Sequence, residues 1–79
     1  MNASEIKDQL EAEPFEPFIV VTSSGDRYEV RHREFALLAR RGHLYVFRPV
    51  EDSDAQVDKP TIISLLHIVA IEPAPERAA

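Results

Sequence analysis

Phe18-Ile19-Val20-Val21-Thr22-Ser23-Ser24-Gly25-Asp26-Arg27-Tyr28-Glu29-Val30-Arg31 is the stretch on which the fold turns. The first five residues are β-branched or aromatic and apolar on both faces, which suits a strand covered on both sides. Ser23 to Asp26 is a turn in which Gly25 supplies a positive φ. From Arg27 the polarity alternates, with Tyr28 and Val30 on one side and charges on the other. A three-residue loop with a glycine bulge aligns Val20 with Tyr28 and Phe18 with Val30. Ile19 and Val21 then occupy the outer face and need a cover, either an N-terminal helix or another subunit.

Upstream of the hairpin, residues 2–13 read as a short helix. Asn2 stands three before Glu5 in a capping-box spacing, with Ser4 as a competing cap. Ile6 and Leu10 form a thin apolar stripe, so the helix persists only if docked. Pro14 stops it, and Pro14-Phe15-Glu16-Pro17-Phe18 forms a stiff extended crossover anchored by two aromatic rings.

Downstream, His32-Arg33-Glu34-Phe35 is a brief corner and Ala36 to Arg40 a third strand. Arg41-Gly42 is a tight turn, and His43 to Arg48 is a fourth strand, again apolar on both faces. Pro49 to Pro60 reads as a twelve-residue acidic loop without periodicity. Thr61 to Leu65 resumes a strand, Leu66-His67 is a single turn, and Ile68 to Ile71 closes the sheet. Residues 73–79 form a flexible tail. The expectation is mainly β: a short helix on a five-stranded, strongly bent antiparallel barrel over residues 18–72, in a single domain of residues 1–72.

Composition narrows the chemistry. The chain has 79 residues, net charge −5 and no cysteine, which excludes disulfide staples and thiolate metal sites. Ile62 to Ile71 is interrupted by Ser64 and His67 and is far too short to span a membrane. Met1-Asn2-Ala3-Ser4-Glu5 lacks the basic start of a signal peptide, so a cytoplasmic protein is expected. With two glycines there is no phosphate-cradling loop, dinucleotide fingerprint or nucleophile elbow. His32-x-Glu34 cannot be a zinc-deaminase motif without its cysteines. His32, His43 and His67 lack metal-ligand spacing, and Asp52, Asp54 and Asp58 lack the glycine and terminal glutamate of a calcium loop. No catalytic or metal residue is expected, no cofactor and no small-molecule substrate.

Charge is unevenly distributed. Between residues 27 and 48, Arg27, Arg31, Arg33, Arg40, Arg41 and Arg48 face only Glu29 and Glu34, while both flanks are acidic. This basic middle either pairs with its own flanks or meets an anionic partner.

The chain also resembles a known group. Pro14-Phe15-x-Pro17-Phe18, then Gly25, Tyr28-x-Val30-x-His32-x-Glu34-Phe35, the Gly42 turn and Ile71-Glu72-Pro73 resemble a set of small bacterial proteins reading Pro-Phe-x-Pro-Phe, Asp-Gly and His-Pro-Glu-Phe. The resemblance runs from about Leu10 to Glu72, with Ser24 and Arg33 departing from the usual Asp and Pro. That set is similar to the Sm-like (Lsm/Hfq-type) small barrel, or SH3-type barrel, with an N-terminal helix. The resemblance implies ring assembly by edge pairing and, in Sm and Hfq-type proteins, binding of single-stranded RNA. Ala36 stands where the base-contacting Asn is expected, and Leu66-His67 keeps the histidine of the second element without its lysine.

Two functions follow from these observations. The first is a non-catalytic, self-assembling interaction or adaptor module, a dimer or small ring burying either Ile19 and Val21 or Tyr45 and Phe47. The second, not favoured, is a single-stranded RNA binder using Arg31, Arg33, Arg40, Arg41 and His67, with Tyr28, Tyr45 and Phe47 as stacking platforms.

Overall fold

The computed structural model of the chain describes residues 1–50, 53–57 and 59–75. Most of the expected C-terminal tail, residues 76–79, lies outside the described residues, as do Asp52 and Asp58. Helix α1 (Ala3–Glu11) opens the chain. Asn2 caps it, its Oδ1 accepting from the Glu5 amide at 3.0 Å, while the Ser4 hydroxyl donates to the same oxygen at 2.8 Å and so supports the cap instead of competing for it. Ile6 and Leu10 are buried in the core, so the thin stripe docks inward against the sheets.

Strands β1 (Phe18–Thr22) and β2 (Arg27–Val30) form the expected hairpin. Phe18 pairs with Val30 and Val20 with Tyr28. The Thr22 amide donates to the Asp26 carbonyl at 2.9 Å, closing a three-residue loop in which Gly25 sits at φ 89°. A side chain at that φ is strained, which is why the loop carries glycine.

The strand count differs from the five expected. The remaining strands are β3 (Ala36–Ala39), β4 (His43–Val46), β5 (Pro49–Val50), β6 (Ser53–Val57), β7 (Thr61–Ser64) and β8 (Ile68–Pro73). All pairings are antiparallel: β2-β1-β8 makes one three-stranded sheet, β3-β4-β7 a second, and β5-β6 a separate hairpin. Among the described residues the sheets do not close into a barrel. The physical cause is two one-turn 3-10 corners, Arg33–Phe35 and Leu65–His67, which break what would be continuous strands and hand β2 and β3, and β7 and β8, to different sheets. The mainly β class with one short N-terminal helix stands. The acidic segment after Arg48 is also not the structureless loop expected, because β5 and β6 pair Pro49 with Val57 and Val50 with Ser53.

Alternation buries one face of each sheet. Phe18, Val20 and Val30 from the first sheet meet Leu44, Val46 and Ile63 from the second, with Leu65 and Ile68 at the second corner. Thr22 is the one buried polar residue among those described, and its hydroxyl lies 2.9 Å from that of Ser24. Val69 is extruded as a bulge between the Thr22–Ile68 and Val21–Ala70 pairs and is 60% exposed.

Candidate interaction surfaces

Because both sheets bury one face, their outer faces decide what the molecule can touch. On the first, Ile19 lies between Glu29 and Glu72, and Val21 between Arg27 and Ala70. Arg27 on β2 forms an ion pair with Glu72 on β8, and the bridge therefore spans β1 above Ile19 and Val21. Arg31 donates to both carboxylate oxygens of Glu29, at 3.0 and 3.3 Å. Both apolar residues end up half-buried without the helix, whose stripe faces the opposite side. Long charged side chains can shield apolar surface with their aliphatic stems.

The second sheet has a different outer face. The register places Leu37 beside Tyr45 and Tyr45 beside Ile62, a three-strand apolar row. Leu37 is 59% exposed and Ile62 56%, with Tyr45 half-buried between them. The adjacent row is Ala39, His43 and Ser64, none of which carries a fixed charge. Of the four residues expected at an interface, Tyr45 sits at the centre of this row. Ile19 and Val21 lie under the ion pair on the other sheet, and Phe47 lies past the end of β4, its amide donating to the Phe35 carbonyl at 2.8 Å. The signal that could have located Leu37 was the Arg40–Gly42 turn: the Gly42 amide donates to the Ala39 carbonyl, setting the register that brings Leu37 opposite Tyr45, whereas Ile62 comes from the β4–β7 pairing.

The five cationic candidates do not form one surface: Arg31 and Arg33 are each held by internal partners. Arg33 closes the C-terminal end of α1: its Nε donates to the Leu10 carbonyl at 2.6 Å and its Nη2 to the Ala12 carbonyl at 2.7 Å. It also pairs with Glu13 at 2.7 Å and lies 5.6 Å from the Phe15 ring centre. Terminal helix carbonyls lack partners along the helix, and α1 has no cation in its own last turn, so Arg33 supplies both donor and charge. Arg31 is held by Glu29 and by the Pro75 carbonyl, to which it donates at 2.6 Å.

Arg40, Arg41 and His67 are exposed and gather at one end of the molecule. There the Leu65 amide donates to the Gly42 carbonyl at 2.9 Å and the Ser23 amide to the His67 carbonyl at 2.7 Å. Leu66, 88% exposed, precedes His67 on the second corner.

Near Arg31 and Phe47 lies an open groove of about 530 Å³, running along β2 and past Phe35, the end of β4 and Thr61 at the start of β7. Its walls carry Tyr28, His32, Phe35 and Phe47, with the His32 and Phe35 rings packed edge-on at 5.5 Å.

His32 precedes the first corner, His43 lies on β4 and His67 on the second corner, and among the described residues no group of three or more His, Cys, Asp or Glu is placed to hold a metal ion. Among the same residues no helix is long and apolar enough to cross a membrane. No family model matches the chain, and neither a curated protein nor a solved structure matches it.

Proposed function

We propose that the protein is a non-catalytic, cytoplasmic self-assembling module whose outer β3-β4-β7 face packs against the same face of a second copy. The observation that carries this reading is the Leu37–Tyr45–Ile62 row, two of whose three members are more than half exposed. An apolar row crossing three strands is self-complementary under a two-fold axis, the geometry of an isologous dimer. Sheet faces pack on one another in this way at about 10 Å separation. The absence of fixed charge in the neighbouring row removes the desolvation cost that Arg27 and Glu72 impose on the other sheet.

The Sm-like resemblance belongs to the same reading. Taking β2 and β3 as one strand bent at the first corner, the order becomes β8, β1, β2/β3, β4, β7, a bent five-member path preceded in the chain by a helix. In that arrangement β7 and β8 are the end strands, and pairing between copies along them would build a ring instead of a dimer.

Light scattering and native mass spectrometry across micromolar concentrations test the proposal. The expected result is a species of twice the 9.0 kDa chain mass that dissociates when Leu37 and Ile62 are both replaced by lysine. A 9.0 kDa species at every concentration overturns it.

The second reading, single-stranded RNA binding, draws on Arg40, Arg41 and His67 at one end of the molecule. Against it stand the internal partners of Arg31 and Arg33 and the net charge of −5. A low-salt shift assay with an oligouridylate decides it, since binding by phosphate contacts must weaken steeply with salt.

A further inference from the structure

We propose that the groove along β2 is a docking site for an extended peptide carrying one carboxylate, bound by strand addition to the open edge of β2. Tyr28 and its sequence neighbours Arg27 and Glu29 alternate between the two faces of the sheet, yet all three line the groove. Residues of both faces meet one space only along a strand's edge. In the ladder order β2 is terminal, with β1 as its single hydrogen-bonded neighbour among the described residues. The four residues of β2 offer about 13 Å of edge, room for an equal length of extended chain.

The walls and charges state what that chain carries. Tyr28, Phe35 and Phe47 offer apolar and aromatic surface to alternate side chains. Three arginines line the groove, but two are already engaged: Arg27 by Glu72 and Arg31 by Glu29. Arg48, exposed at the end of β4, has no carboxylate partner among the described residues. One unmatched guanidinium fits one carboxylate, which it can hold in a two-pronged hydrogen bond. A polyanion is disfavoured for the same reason, because Glu29 and Glu72 stand beside the two remaining cations. The site shares no residue with the Leu37–Tyr45–Ile62 row, so it stands independently of the proposed dimer face.

The test uses the full ¹⁵N-labelled chain and defined probes: a synthetic octapeptide pool of alternating Val and Thr around one central Glu, a pool identical except for Gln at that position, a backbone N-methylated version of the first, and an oligouridylate. The expected result is amide shifts confined to residues 27–35, 46–48 and 61, with the Glu pool binding about three- to tenfold tighter than the Gln pool. Arg48→Gln removes that preference, Arg40→Gln leaves it intact, and N-methylation abolishes binding because the edge hydrogen bonds cannot form. Absence of shifts at β2, an unchanged preference in Arg48→Gln, equal binding of the N-methylated pool, or tighter binding of the oligouridylate at this groove each overturns the proposal. Light scattering of the same samples reports the oligomer separately, so failure of either idea is recognisable by itself.

Discussion

The two three-stranded sheets are built on the same plan and present opposite outer surfaces. Each buries one face in the shared core and alternates strictly enough that every second residue points away from it. On the β2-β1-β8 sheet the outward neighbours of Ile19 and Val21 are Arg27, Glu29, Ala70 and Glu72, and the Arg27–Glu72 pair bridges over the central strand. On the β3-β4-β7 sheet the outward neighbours of Tyr45 are Leu37 and Ile62, and among the described residues no ion pair bridges them. An apolar residue on a central strand is therefore not by itself a sign of an interface. What its two cross-strand neighbours carry decides whether the chain covers it or leaves it for a partner.

The largest effect should come from crossing from the outer to the inner face of the second sheet. Leu44→Ala removes a fully buried side chain and should cost about 2–5 kcal/mol in urea unfolding, enough to threaten so small a domain. Leu37→Ala, on the outer face of the adjacent strand, should leave the unfolding free energy of the dissociated chain within about 0.5 kcal/mol of the parent. Equal losses for the two variants would erase the inner–outer distinction.

Next in size is the bare face itself. Replacing Leu37 and Ile62 together by alanine should weaken self-association by about 2–4 kcal/mol, read as a shift in the concentration of half-dissociation by analytical ultracentrifugation. The same double change at Ile19 and Val21 should leave self-association unaltered. If it dissociates the oligomer instead, the ion-paired face is the interface and the comparison is inverted.

Arg33→Ala should cost about 1–2 kcal/mol, because two helix-end carbonyls lose their charged donor. The loss should appear as reduced helical circular dichroism with self-association unchanged, and Arg33→Lys should recover only part of it. The smallest effect belongs to the exposed pair over β1. Arg27→Gln should change stability by less than about 1 kcal/mol, and that difference should shrink in about 1 M salt. A larger, salt-independent loss would mean that the arginine stem, and not its charge, protects Ile19 and Val21.

Several of these features are legible in the residues themselves. The β1–β2 register follows from Gly25, since a three-residue loop with one left-handed residue admits a single alignment. The helix is legible from Asn2 and from the Ile6–Leu10 spacing. Other features are hidden for identifiable reasons. Arg33 looks like one of six arginines in a basic segment, and its role depends on α1 ending beside the first corner, 21 to 23 residues away in sequence. Pro49 to Val57 lacks apolar alternation, so the β5–β6 pairing leaves no periodic mark in the sequence.

Taken alone, the sequence determined the local order of the protein: where the helix starts, which turns are tight and which face of each strand is apolar. These depend on contacts between residues close in the chain and on the fixed periods of helix and strand. Only the tertiary structure decided that two corner turns split the strands into separate sheets, that Arg33 serves the helix, and that the uncovered row lies at Leu37, Tyr45 and Ile62. The reason is physical: whether a side chain is covered or bare depends on neighbours contributed by strands distant in sequence, and those neighbours exist only once the sheets have formed.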